Sequence, residues 1–248
     1  MKKVLLAAAV MAAAFSSGAL AQQWTNINVN AGANGFTGWT EQNTSGNSSE
    51  NGRFTANPGV MGTSWGMYAN NGQEANNIYN FSSTLPVGGY VQIDVSLGFI
   101  ITGGAAGFSL QNSTGELRFE TYYVGENSAN VFQLNDAGGR ENITGPNTTF
   151  GNSAWTANPQ QFQTIRFTLR AANTYTLSFD GVDVSNAGLT ISASDISRIR
   201  IFNYNAGTGD GHNQYFNNLQ AVPEPSTYAL LGLAAAGLGA HMIRRRRR

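Results

Sequence analysis

The chain contains no cysteine. Disulfides, thiolate metal sites and a cysteine nucleophile are thereby excluded. Lysine is nearly absent too, since the only two are Lys2 and Lys3. Five of the twelve arginines form a terminal run, Arg244 to Arg248. Residues 22–222 are left with seven Arg against thirteen acidic residues, a net charge of about −6. A Lys-free, acidic middle argues against nucleic acid as a partner, because phosphate binding needs clustered positive charge. The same stretch holds a single histidine, His212, so a zinc site built on two histidines cannot form there. His212 lies in the Gly-rich turn Gly209-Asp210-Gly211-His212-Asn213, and no Gly-x-Ser-x-Gly elbow accompanies it. A Ser–His–acid hydrolase therefore lacks its parts, and His212 is read as a loop residue. No segment between 22 and 222 sustains a long 3.6-residue apolar period, which leaves little room for long amphipathic helices.

The two ends carry the clearest signals. Lys2 and Lys3 precede an unbroken apolar run from Val4 to Phe15, and Ala19-Leu20-Ala21 follows. This is the pattern of a secretory signal peptide over 1–21, with signal peptidase cutting after the small residues Ala19 and Ala21. Export through the general secretion machinery is expected, with a mature chain from Gln22. At the other end, Pro223-Glu224-Pro225-Ser226-Thr227 leads into an apolar stretch, Tyr228 to Ile243, and then the five Arg. Sixteen helical residues rise roughly 24 Å, a short transmembrane span. The Arg run would stay cytoplasmic. Pro223 and Pro225 hold their neighbourhood extended, in reach of a processing enzyme.

Residues 223–248 resemble the PEP-CTERM sorting signal of Gram-negative, exopolysaccharide-producing bacteria. The motif, the small-residue apolar span and the Arg cluster occur in that family's order. The resemblance implies that exosortase, a membrane-embedded protease/transpeptidase, reads Pro223, Glu224 and Pro225. On this reading the membrane anchor is transient, Arg244, Arg245, Arg246, Arg247 and Arg248 are a topological stop, and the body goes to the cell surface or extracellular matrix.

The middle reads as all-β. In Tyr90-Val91-Gln92-Ile93-Asp94-Val95-Ser96-Leu97-Gly98-Phe99, apolar and polar residues alternate strictly, as in a half-buried antiparallel strand. Similar alternation marks 117–123, 165–170, 175–179 and 198–201, with shorter strands expected around 25–29, 61–68, 76–81, 106–111, 130–134 and 213–221. Arginines on these strands are read as solvated faces. Asp180-Gly181 predicts a tight type I′ hairpin. Residues 41–59 are the part expected to be least ordered. Ten or more short strands with polar turns and no blade-length repeat predict a two-sheet antiparallel sandwich over 22–222. The Trp65–Asn70 block, strand 90–99, Gly107–Asn112, Ile201–Asn205 and Tyr215–Leu219 together resemble the concanavalin-like jelly roll. That likeness implies two facing sheets and a concave face that often binds glycans, but no particular activity.

Candidates for chemistry are few. Glu116-Leu117-Arg118-Phe119-Glu120 comes nearest to the paired carboxylates of concanavalin-like glucanases. Strand spacing separates Glu116 and Glu120 by roughly 13 Å at Cα, too far for a retaining pair. They are therefore read as an exposed charge ladder, and the protein as no enzyme. Asp210, Asn205 and Asn218 are candidate calcium ligands in or beside the last loop. Abundant Asn with Trp24, Trp39, Trp65 and Trp155 permits exopolysaccharide or other glycan binding. Each Trp is better read as core than as contact, with Trp155 the candidate for exposure. The expectation is a non-catalytic, glycan-associated surface or matrix protein. A glycoside-active enzyme and an inert structural protein stand as alternatives.

Overall fold

The computed structural model describes residues 26–58, 61–125, 131–149, 162–184, 191 and 194–222. The expected signal peptide with Ala19 and Ala21, Trp24, Trp155, the Pro223–Pro225 motif, the expected membrane span 228–243 and the Arg tail lie outside the described residues. Among the described residues, no helix is long and apolar enough to cross a membrane.

The strands in chain order are β1 (Ile27–Val29), β2 (Trp39–Glu41), β3 (Asn51–Ala56), β4 (Ser64–Ala69), β5 (Glu74–Asn80), β6 (Tyr90–Leu97), β7 (Ala105–Gln111) and β8 (Leu117–Val124). They continue with β9 (Gln133–Asp136), β10 (Gly139–Asn142), β11 (Gln163–Ala171), β12 (Thr174–Phe179), β13 (Val182–Asp183), β14 (Arg198–Tyr204) and β15 (Gln214–Val222). A four-residue helix α1 (Ala31–Asn34) follows β1, and a 3-10 turn spans Asp210–His212. Sheet I runs β13-β12-β11-β6-β15-β4-β3, with β1 also pairing β15; sheet II runs β10-β9-β8-β7-β14-β5-β2. Every pairing is antiparallel. The chain is thus all-β, with two sheets forming a sandwich.

The period-two pattern explains the core. Val91, Ile93, Val95 and Leu97 of β6 point inward, in register with Phe167 and Ile165 of β11. Phe119 of β8 crosses from sheet II to meet Phe167 and Tyr175, each at 5.0 Å between ring centroids. Trp39 of β2 and Trp65 of β4 meet edge-on at 5.0 Å and close the other end. Both indoles are core, as the sequence suggested. Burying each such ring contributes about 1.5–3 kcal/mol. The Asp180-Gly181 turn has φ of 51° and 80°, as the hairpin signal required.

Within 41–59, the stretch expected to be least ordered, residues 51–56 form β3, paired along its length with β4. The strand lacks apolar alternation because Phe54 is its only large apolar side chain. Its other anchors are polar. Asn51 donates to the Glu74 carbonyl at 3.0 Å. Arg53 donates to Asn77 Oδ1 at 2.7 Å.

Buried amides do the work that disulfides cannot do here. Asn203 of β14 points into the sandwich and donates to the Met67 carbonyl of sheet I at 3.0 Å, so one side chain ties the two sheets. Gln214 accepts from the Gly98 amide at 3.0 Å and donates to the His212 carbonyl at 2.7 Å. Asn217 accepts from the Ala31 amide at 2.9 Å and donates to the carbonyls of Met61 and Thr63 at 3.1 and 2.9 Å. A buried amide with its valences filled orients the segments it bridges, because leaving it unfilled is costly.

Candidate functional site

The outer face of sheet II gathers most of the polar chemistry. Strand register lines up one row of side chains: Arg140 on β10, Asn135 on β9, Glu120 on β8, Ser109 on β7, Arg200 on β14 and Ile78 on β5. Arg200 is fully engaged in that row. Its Nε donates to Ser109 Oγ at 3.1 Å, Nη2 to Glu120 Oε1 at 3.0 Å and Nη1 to Glu74 Oε1 at 3.4 Å. The guanidinium also lies over the Phe202 ring, 4.7 Å from its centroid. Two carboxylates thus share one cation.

Glu120 is only 9% exposed. Burial pushes its carboxyl above the ordinary range, outweighing the Arg200 charge and hydrogen bonds from Asn135 and Arg200. Burial, together with the charge of Arg200, lowers the neighbouring Arg198.

The next row holds Phe202 on β14, Gly107 on β7, Tyr122 on β8 and Gln133 on β9, with Asn76 beside Phe202 on β5. Gly107 has no room for a side chain: a Cβ there would stand 2.1 Å from the Thr121 carbonyl oxygen. The gap between the two aromatics is therefore built into the strand pairing. Phe202 and Tyr122 are buried, yet they lie outside the continuous core between the sheets. Among the described residues, Tyr122 Oη and Asn76 Oδ1, both buried, have no hydrogen-bond partner. Burial also raises the Tyr122 hydroxyl.

The expected charge ladder on β8 is corrected by the structure. A register shift between Leu110 and Gln111 sets Leu117, not Arg118, opposite Gln111, so Glu116, Arg118 and Glu120 do not form one exposed row. Arg118 instead bonds Asp195 Oδ1 at 2.5 Å and Glu116 Oε2 at 3.0 Å, and its side chain is 13% exposed. The Arg118 hydrogen bond holds the Asp195 carboxyl below its usual range. Arg118 and Arg200 are not the solvated strand residues that the sequence suggested, because each is drawn down by acids on neighbouring elements.

The three candidate calcium ligands have separate assignments. Asn205 Oδ1 accepts from the Gly72 amide at 2.8 Å. Asn218 donates to Asp94 Oδ2 at 2.7 Å. Asp210 opens the 3-10 turn. Among the described residues, no group of three or more His, Cys, Asp or Glu could hold a metal ion. His212 Nδ1 lies 2.8 Å from the Phe99 carbonyl and 2.9 Å from that of Ala206. Both are acceptors, so Nδ1 carries the proton and pins the loop.

Sequence reasoning missed Glu74, Arg200, Phe202, Tyr122 and Asn76 as a group. They come from three strands distant in the chain, and only the pairing of β14 between β5 and β7 brings them together.

Solved β-sandwich structures match this architecture. The globular domain of T. cruzi calreticulin superposes with a TM-score of 0.52 at 10% identity, covering 90% of this chain and 99% of that one. An apo Crh5 transglycosylase gives 0.51 at 13% identity, covering 84% and 88%. The cellulose induced protein Cip1 gives 0.50 at 12% identity, covering 76% and 92%. At such identities the likeness concerns the fold, and it agrees with the concanavalin-like resemblance. No curated protein matches the chain. Residues 221–248 match the PEP-CTERM protein-sorting motif. That motif implies export through the cell envelope and sorting.

Proposed function

We propose that this is an exported, non-catalytic β-sandwich that binds glycan through the outer face of sheet II. Its C-terminal signal delivers it to the cell surface or extracellular matrix, with exopolysaccharide the expected ligand. One observation carries the binding reading. Phe202 and Tyr122 flank the side-chain-free strip at Gly107, and two unpartnered polar atoms, Tyr122 Oη and Asn76 Oδ1, stand beside them. Both rings are buried beneath guanidinium groups, Phe202 under Arg200 and Tyr122 under Arg140, so a sugar would meet this polar cover first and reach the unfilled atoms where its hydroxyls part it.

Affinity electrophoresis of the full chain in detergent, through gels containing soluble exopolysaccharide, tests this. Retardation without new reducing ends is expected. Free migration would instead favour an inert structural role.

A second reading has one specific support. Glu120 is a buried carboxyl held above its usual range, with the Glu74 carboxylate on the same cation. That is the environment of a general acid in glycoside chemistry. New reducing ends, or altered chain lengths that Glu120→Gln abolishes, would establish this enzyme and displace the binding reading.

For sorting, exosortase would read Pro223, Glu224 and Pro225 while 228–243 sits in the membrane and Arg244 to Arg248 stay inside. Glu224→Ala should leave an uncleaved, membrane-bound precursor. Unchanged release from the membrane contradicts this assignment.

A further inference from the structure

A concavity lies on the opposite sheet. It occupies the outer face of sheet I where β3 and β4 meet the loop between β14 and β15, and it encloses about 430 Å³. Phe54, Tyr68, Asn70, Thr208, Asp210 and Asn213 are among its lining residues.

Its aromatic wall follows from strand register. Phe54 pairs with Gly66, and Tyr68 pairs with Gly52. Each ring lies over the glycine opposite: a Cβ on Gly66 would stand 2.4 Å from the Phe54 ring, and one on Gly52 would stand 2.5 Å from the Tyr68 hydroxyl. Glycine opposite an aromatic lets the ring lie along the sheet instead of standing off it. Tyr215 braces Phe54 edge-on at 6.1 Å. The result is a fixed aromatic surface beside the pocket.

The polar side offers the Asn70 and Asp210 oxygens as acceptors, beside hydroxyls of Ser49 and Thr208 and the Asn213 amide, which can also donate. Asn70 is 8% exposed and lines the pocket, and its buried Oδ1 has no partner among the described residues. The Asp210 carboxylate makes no ion pair among the described residues. The one cation nearby, Arg53, is bound to Glu41 at 3.1 Å and to Asn77 at 2.7 Å. Among the described residues, the Asp210 carboxylate is therefore the one charge of the lining without an ion-pair partner. That charge disfavours phosphates and uronates, while the acceptors call for a ligand rich in hydroxyl donors.

We infer that this pocket is a second saccharide site, separate from sheet II, which takes a neutral hexopyranose with its ring face on Phe54 and Tyr68 and its hydroxyls on Asp210 and Asn70. This site is formed by the pocket's own residues alone and does not depend on sheet II binding sugar. With both sites filled, one chain binds polysaccharide on two opposite faces and cross-links it.

Saturation-transfer NMR on the full chain in detergent provides the test, with neutral methyl hexopyranosides (gluco, galacto and manno) and methyl glucuronide as probes. At least one neutral probe should give a saturable signal. Asp210→Asn, a near-isosteric change in a loop, should weaken that signal about tenfold or more, as expected for losing a charge-assisted hydrogen bond. Tyr68→Ala should do the same, and circular dichroism reports whether that variant is folded. Four results overturn the inference: no saturable signal from any neutral probe, preference for the glucuronide, Asp210→Asn binding like the unaltered chain, or loss confined to Phe202→Ala. Binding lost in Asp210→Asn but kept in Phe202→Ala retains this pocket and removes the sheet II reading.

Discussion

Asn217→Leu tests directly how a cysteine-free exported fold holds its loops. Asn217 sits on β15 and is 4% exposed. Its side chain makes three hydrogen bonds, to the Ala31 amide and to the carbonyls of Met61 and Thr63. Those partners belong to α1 and the segment before β4, far from β15 in sequence. Leucine has nearly the same volume, so little cavity forms and the change isolates the polar contribution. Three bonds at about 1 kcal/mol each set the loss near 3 kcal/mol. The three backbone groups left unpaired keep it from being smaller. For a domain of this size, each kcal/mol lowers Tm by about 2–4 °C, so a fall of roughly 6–12 °C is expected. That is comparable to losing a disulfide, typically about 2–4 kcal/mol. Urea denaturation followed by far-UV circular dichroism gives the free energy, with Asn28→Ala on the exposed face of β1 as the control, expected within about 0.5 kcal/mol. A loss below about 1 kcal/mol for Asn217→Leu would show that this amide does not fasten the loops and would shift the stability to the aromatic core.

Gly107→Ala should cost about 1–3 kcal/mol or more, because the new methyl meets backbone of β8 that cannot move without parting the strands. The urea midpoint reads it directly. Glu120 gives a pH signature. Its folded-state pKa is raised, so the native chain binds more protons than the unfolded one just above pH 4.5, and stability falls as pH rises through that window. Glu120→Gln should flatten this slope in urea midpoints taken across it. Asp195 has the opposite sign. Its folded-state pKa lies below 3.8, so its stabilisation is present above that value and is lost as pH falls through the folded pKa. Asp195→Asn should remove that acid-side loss from the same titration.

The inward alternation of β6 and the Asp180-Gly181 turn were legible because local chemistry determines them: one apolar face, and positive φ at two adjacent residues. Strand β3 was not, since Asn51 and Arg53 anchor it through side-chain hydrogen bonds to β5. Strand β10 was not, since all four of its residues are exposed. The Asn and Gln residues that fasten the sandwich look like turn formers in sequence, and only their partners reveal otherwise. The β8 acids failed for a related reason. A bulge breaks even spacing, and Arg200, which decides the state of Glu120, lies 80 residues further along the chain.

The most direct test of the central claim is binding of the full chain to exopolysaccharide from the producing bacterium, with and without calcium chelation, for the unaltered protein and Phe202→Ala. Saturable binding without chain cleavage is expected, weakened at least several-fold by Phe202→Ala and unchanged by the chelator. Absence of binding, or binding indifferent to Phe202, would contradict the sheet II site. Loss on chelation would return the last loop, with Asp210, to the centre of the mechanism.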